Sequence, residues 1–479
     1  MLTVEFRHRA PDGVPVLVPV AAIPGGHAWL AEATGFRADP GQVLEPAAVP
    51  RRLFLGLGRA RRFELETAGA AAAKHAASLP HVVLDARAVA PDDAAAIIAG
   101  LALGAWRFDR HRTRGVKPSL ARLTIVTPHR RAAREAWARA EAVVRACLFA
   151  RDLVAEPANH LTTRRFAAQL QALSRFGLEV EVLSRERLER LGYGALLAVG
   201  RGSASPPRLV VLRWPGSLAA PPVVFVGKGI VFDTGGISIK GAHGMEAMRA
   251  DMAGAAACAG AVLALALRRS PCPAVAVLAI AENATGADSY RPGDVLRTGS
   301  GRTVEVVDTD AEGRLVLADA LHHALSFRPR AMVDLATLTG AIVSALGTHR
   351  AGLFGNDAAL MAALAASGEA VGEHLWPMPI GEGHRADLAS DIADLKQCVP
   401  SSRGEGGWAA RFIPDACHAA AFLREFAGAA PWAHLDIAGV DTVDRAHALG
   451  PAGPTGFGVR LLDHLVAARF EEADHHAVP

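Results

Sequence analysis

Cysteine is scarce in this 479-residue chain: Cys147, Cys258, Cys272, Cys398 and Cys417 are the whole supply, and no Cys-x-x-Cys occurs among them. An odd, scattered set does not make a secreted disulfide framework and fits a reduced, cytoplasmic protein. Charge of one sign is also missing. Lys and Arg number 51 against 48 Asp and Glu, a net charge of +3, and the isoelectric point near 8.7 is only mildly basic. That balance gives no case for a dedicated nucleic-acid or acidic-membrane binder. The short basic clusters RARR (59–62) and HRR (129–131) read as solvated faces. Long apolar runs are absent too. The N-terminus, MLTVEFRHRAP, carries no signal-peptide core, and the longest run, Met252–Leu267, is shorter than the roughly 20 residues a bilayer requires. It reads as a buried helix.

Several familiar motifs fail. No HExxH occurs, and His322-His323 fall on a predicted helix face. GKG at 227–229 lacks both the earlier glycine and the following Ser/Thr of a phosphate loop, and GRGSAS at 200–205 lacks the last glycine of a dinucleotide fingerprint. NAT at 283–285 matches a glycosylation sequon, which carries no meaning without secretion.

What is present is a globular balance, 51% hydrophobic and 21% charged, in a chain long enough for two domains. Residues 1–150 read as an α/β unit. Strands at 53–57, 81–85 and 123–127 alternate with Ala-rich helices around 67–78 and 92–106, and a long helix over 131–154 ends at Glu156-Pro157. No acid, base and nucleophile combine there at a readable spacing, so its expected role is assembly or shielding. Residues 151–479 alternate strand and helix more regularly, with strands at 179–183, 208–214, 223–227, 274–280, 303–307, 332–336 and 434–438. Helices are expected at 252–268, 314–326, 358–373 and 415–427. Strands apolar on both faces predict an α/β/α domain around a mostly parallel central sheet.

The chemistry concentrates in GKGIVFDTGGISIK (227–240), MRADM (248–252) and DTDAEGRL (308–315). Lys228, Asp233, Lys240, Asp251, Asp310, Glu312 and Arg314 stand there against a Gly- and Ala-rich background. Each has a bland reading: Asp251, Asp308 or Asp310 as helix caps, Glu312 as a surface partner of Arg314. Burying such charges unpaired costs several kcal/mol or more apiece (an order-of-magnitude figure), so seven together argue for function. Four carboxylates would balance two divalent cations, and a burial-neutralised Lys228 would serve as a further ligand. Glycines 227, 229, 235 and 236 would let the backbone turn beside the ions. Lys240 and Arg314 remain as cations suited to an oxyanion or an acidic cofactor. The inference is metal-assisted hydrolysis at the carboxyl ends of strands.

These residues closely resemble the cytosolic leucine aminopeptidase family, the two-metal, hexameric kind, whose signature is NTDAEGRL. The likeness continues through RDLVAEPANHLT (151–162), VGRGSASPPRLVVL (199–212), YRPGDVL (290–296), DLATLTGA (334–341), DIADLK (391–396) and WAHLDIAG (432–439), and so covers essentially 150–465. In the first domain GLALGAWRFDR (100–110) is the clearest echo. The resemblance implies a metal-dependent aminopeptidase with two divalent ions per subunit, Zn²⁺ or Mn²⁺ with Mg²⁺ as a third candidate. Lys228, Asp233, Asp251 and Glu312 would hold the tighter ion; Asp233, Asp310 and Glu312 would hold the more exchangeable one, which also takes the peptide's free amine. Lys240 would stabilise the tetrahedral diolate, and Arg314 would bind a bicarbonate acting as general base. Met248, Thr337, Leu338, Gly340 and Ala438 would receive the N-terminal residue. Homohexamers acting on peptides in the cytoplasm, with no membrane or nucleic-acid partner, are the expected setting.

Three departures stand out. Asp308 replaces the family's Asn and adds a carboxylate, predicting altered metal affinity. Asp441 takes the place of an apolar residue at the end of the pocket and, if it faces inward, would favour polar or basic side chains. Residues 396–423 depart from the Gly-rich GG-x-I-T-A-A-A-F-L pattern near the approach to the site. The alternatives are a dipeptidase of the same class, for example toward cysteinylglycine, and a non-catalytic or DNA-binding member.

Overall fold

A computed structural model describes residues 2–115, 120–399 and 413–471. The chain forms two compact units, Met1–Leu148 with Val443–Thr455, and Phe149–Thr442 with Gly456–Pro479. The return of Val443–Thr455 to the first unit is marked by no change of composition.

The first unit carries a six-stranded sheet in the order Thr3–Arg7, Arg122–Val126, His81–Asp85, Val16–Val20, Arg52–Gly56, Val43–Leu44. All neighbours are parallel except the last pair. The strands Thr3–Arg7 and Val16–Val20 escaped the sequence reading because they are short and lie partly at the surface. Helices Arg62–His75 and Pro91–Gly104 bury their Ala-rich faces.

The second unit is built on an eight-stranded sheet. Its order is Leu375–Pro377, Ala351–Gly355, Trp432–Asp436, Ala331–Ala336, Val223–Asp233, Ala274–Asn283, Arg208–Trp214, Glu179–Leu183. The four central strands, from Trp432–Asp436 to Ala274–Asn283, run parallel. The two on the far side of Ala274–Asn283 are antiparallel, as is the contact of Ala351–Gly355 with Trp432–Asp436. The central strands are buried along nearly their whole length, which explains why they read as unbroken apolar runs. Thr303–Glu305, expected with them, pairs instead with Val295–Arg297 and Leu395–Lys396 in a separate three-stranded sheet.

Helix Ala253–Leu267 is buried from Ala253 to Ala266. The span Met245–Leu267 that includes it is long and apolar enough to cross a membrane, yet 89% of its apolar window is inside the protein. It can lie so close because the sheet offers no side chain beneath it: a Cβ on Gly227 would sit 2.5 Å from Ala255 Cα. None of the five cysteines is in a disulfide, and all are buried.

Helix Glu312–Leu325 is pinned by Asp319, which is fully buried. Its Oδ2 accepts the Leu196 N–H at 2.8 Å and its Oδ1 the Gly299 N–H at 2.7 Å. Asp319→Asn puts an amide donor against one of those donors. We expect a loss of about 1–3 kcal/mol, the cost of leaving a buried donor unsatisfied, measured as the urea midpoint at constant slope. An unchanged midpoint would refute the pinning role.

Candidate metal centre

Lys228 does not follow its strand, as the sequence suggested, but lies in the middle of Val223–Asp233, paired in register with Ala279. Its side chain passes over the start of helix Glu312–Leu325, where only glycine fits: a Cβ on Gly313 would come within 2.8 Å of the lysine's Cδ, Cε and Nζ. The Lys228 Nζ lies 2.8 Å from Asp251 Oδ1 and 2.8 Å from Glu312 Oε1, and donates to the Thr337 carbonyl at 2.8 Å. Thr337 returns a bond from its hydroxyl to Asp251 Oδ1 at 2.7 Å.

Asp233 ends the same strand. Beyond it the backbone turns through Gly235 and Gly236, at φ 84° and 66°, conformations that L side chains rarely adopt. Gly227 and Gly229, expected to turn as well, remain inside the strand. The turn brings Lys240 back, its Nζ 2.8 Å from Asp233 Oδ2 and in contact with Asp310 Oδ1. Carboxylate oxygens of Asp233, Asp310 and Glu312 lie within 4.8 Å of one another, an arrangement able to hold a metal ion.

None of the bland readings survives. Asp251 pairs with Lys228, and helix Ala253–Leu267 has no side-chain cap. Helix Glu312–Leu325 likewise has none, and Glu312 and Arg314 are 1% and 2% exposed. The two cations expected to be left over are also engaged. Lys240 pairs with two carboxylates, and Arg314 lies 2.9 Å from Asp415 Oδ1 while donating to the Gln397 carbonyl at 3.2 Å. The cause is the same in each case: a buried carboxylate recruits whatever cation can reach it.

The proton affinities follow. Burial pulls Lys228 down, but Asp251, Glu312 and Asp233 outweigh it and hold the amine above the ordinary lysine range. These carboxylates favour the Lys228 ammonium, where burial alone would favour the neutral amine. Lys240 is raised in the same way by Asp233 and Asp310. Burial raises Asp251 well above the carboxylate range and raises Glu312 too, with neighbouring carboxylates adding to it. Asp310 is pushed up to about 7, first by burial. Carboxyls crowded this closely would be ionised together only beside more positive charge than two lysines supply. Asp251 Oδ2 is buried without a hydrogen-bond partner among the described residues. Divalent cations fit this donor set.

Residues that the sequence reading passed over hold the set in place. Asn283, dismissed as a sequon, is fully buried; its Nδ2 donates to Asp233 Oδ1 at 2.7 Å and to the Thr309 carbonyl at 3.0 Å. A polar residue closing a buried strand was the available signal. Thr309 donates to the Gly235 carbonyl at 2.6 Å and accepts from Ser238 N at 2.8 Å, locking the Lys240 turn against the Asp310 loop. Asp308 Oδ1 accepts the Asp310 N–H at 2.9 Å, a turn bond that Asn could equally make.

Thr337 and Leu338, expected in the pocket, directly follow strand Ala331–Ala336. Thr337 joins the charged set directly, and Met248 accepts the Asp251 N–H at 3.3 Å. Asp436 Oδ1 accepts from Leu338 N at 3.0 Å and Ala438 N at 3.3 Å, and its Oδ2 takes the Thr339 hydroxyl at 2.7 Å. Gly340 is exposed, with open space where a Cβ would be. Asp441 is half-buried beside Thr442, whose hydroxyl donates to it at 3.0 Å, and burial raises it to about 6. Of the departing stretch 396–423, residues 400–412 lie outside the described residues.

Residues 148–463 match the sequence model of the cytosol aminopeptidase family, catalytic domain. A probable cytosol aminopeptidase of Brucella ovis is 42% identical over 463 residues, covering 93% of this chain and 91% of its own. One of Rhizobium etli is 44% identical over 446 residues, covering 89% and 87%. Among solved structures, the bottromycin maturation enzyme BotP in complex with Mn superposes with a TM-score of 0.85 at 36% identity, covering 95% of this chain and 99% of that one. The buried carboxylates around Lys228 and Lys240 are thus set in a chain that belongs to the cytosol aminopeptidase family, a family of metal-dependent hydrolases.

Proposed function

We propose that this protein removes the N-terminal residue from peptides in the cytoplasm, using two divalent ions, Mn²⁺ or Zn²⁺ with Mg²⁺ as a substitute. The observation that carries this reading is the convergence of the Asp233, Asp310 and Glu312 carboxylates within 4.8 Å, with Lys228 and Lys240 beside them. Lys228, Asp233, Asp251 and Glu312 would hold one ion; Asp233, Asp310 and Glu312 would hold the other. Bound there, such ions polarise the scissile carbonyl and lower the pKa of water.

The chain's own groups do the rest. Were Asp233 and Asp310 to hold a metal, the Lys240 ammonium would be free to meet negative charge developing on the carbonyl oxygen. Arg314, buried two residues on from Glu312, would bind the bicarbonate that serves as general base. Thr337 ties Lys228 and Asp251 to the segment that receives the N-terminal residue, so ion and substrate share one support. Met248, Leu338, Gly340 and Ala438 form the remaining wall, with Asp441 at its end. The first unit would serve assembly, as a homohexamer.

Exhaustive chelation should abolish release of N-terminal residues from aminoacyl amides, with Mn²⁺ or Zn²⁺ restoring it, and Glu312→Ala should lower kcat/KM by about a thousandfold or more. Undiminished activity in either case would sink the reading.

Asn283→Ala removes the donor that orients Asp233. Loss of such an outer partner weakens metal binding by roughly 10–100-fold, measurable by calorimetric titration with Mn²⁺; unaltered affinity would count against the role.

If Asp441 lines the pocket, Asp441→Met should shift the kcat/KM ratio of leucyl over lysyl substrates by roughly tenfold or more toward leucine. In the wild type the preference for lysyl substrates should fade as pH drops through about 6, where this carboxyl takes up its proton. A side-chain panel with the same order in both proteins would place Asp441 outside the pocket.

A further inference from the structure

Of the three grouped carboxylates, Asp233 closes strand Val223–Asp233 and Glu312 opens helix Glu312–Leu325. Asp310 lies in the turn before that helix, its side chain 35% exposed, and its place is set by the hydrogen bonds of its own loop. The peptide that joins Thr309 to Asp310 is held at both ends. At the nitrogen end, the Asp310 N–H donates to Asp308 Oδ1 at 2.9 Å. At the oxygen end, the Thr309 carbonyl accepts twice, from Asn283 Nδ2 at 3.0 Å and from the Tyr290 hydroxyl at 2.8 Å. Two donors fill both lone pairs of the carbonyl and leave its peptide plane one orientation. Tyr290 is 2% exposed, and its ring belongs to the apolar core that also takes in Val304, Val306 and Leu315. The segment after it is tied to the approach to the loop: Gly293 N donates to the Val306 carbonyl at 2.8 Å, and Val306 N to the Asp294 carbonyl at 2.9 Å. Burial raises the phenol well above the ordinary tyrosine range, and Glu312, Asp233, Asp308 and Asp310 add to it, so it keeps the proton it donates. A phenylalanine would fill the same core without burying a hydroxyl, and the Thr309 carbonyl already has a donor in Asn283. A second donor on one carbonyl adds little stability and fixes a direction.

We infer that Tyr290 is a positioning residue of the metal centre, whose hydroxyl sets the Thr309–Asp310 peptide so that Asp310 completes the site of the second ion. The inference rests on the two-ion reading above. On that reading Asp310 serves one ion, whereas Asp233, which Asn283 also holds at 2.7 Å, serves both. The two donors on the Thr309 carbonyl therefore differ in reach. Loss of the Asn283 amide disturbs both ions, and loss of the Tyr290 hydroxyl disturbs the second alone. A general loosening of the core would not divide the ions in this way. The chain has one other tyrosine, Tyr193, which is 5% exposed and has its hydroxyl 2.7 Å from His323 Nδ1. His323 lies eleven residues beyond Glu312 on the same helix, about 16 Å along its axis, so Tyr193 is a buried hydroxyl of the same core away from the ions.

The test is calorimetric titration of the metal-free full chain with Mn²⁺, for wild type, Tyr290→Phe, Asn283→Ala and Tyr193→Phe, with leucinamide turnover followed over the same Mn²⁺ range. Wild type should show two binding steps. Tyr290→Phe, which keeps the ring in the core, should weaken one step by roughly 10–100-fold, the usual effect of losing a partner that orients a metal ligand, and leave the other unchanged. Its turnover should need correspondingly more Mn²⁺ and reach a kcat near that of wild type once the metal saturates. Asn283→Ala should weaken both steps and Tyr193→Phe neither. A Tyr290→Phe protein with wild-type affinity at both steps, or with equal losses at both, overturns the inference alone. A wild type that binds fewer than two Mn²⁺, or that is inactive when loaded, overturns the reading beneath it.

Discussion

Four carboxylates and two ammoniums share one buried site, and that imbalance of charge is the constraint on which the second unit depends. Asp233, Asp251 and Glu312 are less than a tenth exposed, and Asp310 lies at their rim. Lys228 and Lys240 answer only part of the negative charge, so burial and mutual repulsion push the carboxyls toward protonation. A fold gains no stability from such an arrangement, because the desolvation of buried charges generally exceeds their attraction. The elements around the site make sense as devices for holding it. Gly227 lets helix Ala253–Leu267 press on the strand that bears Lys228, and Gly313 clears a path for the lysine itself. Asn283 and Thr309 lock one carboxylate and one turn.

The charged set was legible in the sequence because charge in an apolar background is rare and the motifs that carry it are long. Its pairing was not. That Lys228 would be neutral was argued from burial alone, which omits the three carboxylates folding brings around it from Asp233, Asp251 and Glu312, lying 5, 23 and 84 positions along the chain and favouring its ammonium. Lys240 and Arg314 were expected as spare cations for the same reason. The central strands were readable from their unbroken apolar runs, whereas Thr303–Glu305 has the same composition and enters another sheet. Strand composition reports burial, not partner.

Asn283 shows a different limit. Its local sequence, Asn-Ala-Thr, invites a surface reading, and although a polar residue closing an apolar strand hints at burial, that hint names no partner. Only register does: Asn283 pairs with Asp233 at the end of two parallel strands, beyond a shift after Ala281. That irregularity carries its amide to the Asp233 carboxylate. Asp415 was hidden in the same way, a helix-opening acid whose partner lies 101 residues earlier. Roles that depend on pairing across such distances are fixed by topology, and one sequence does not disclose them.

The sheet behind the site links recognition to chemistry. Asp334 and His434 face each other in register on neighbouring strands, His434 Nδ1 lying 2.5 Å from Asp334 Oδ1, while the Trp432 indole donates to Oδ2 at 2.7 Å. Burial alone would lower His434, but Asp334 and Asp436 outweigh it and favour the imidazolium. That charge opposes, without cancelling, the burial that raises Asp436, two residues further on, which accepts from Leu338, Thr339 and Ala438. The next residue upstream, Thr337, contacts both Lys228 and Asp251. One hydrogen-bonded strand end thus fixes the wall proposed for the substrate and two of the metal-facing groups at once. Movement of that wall to suit a different side chain would disturb Lys228 and Asp251.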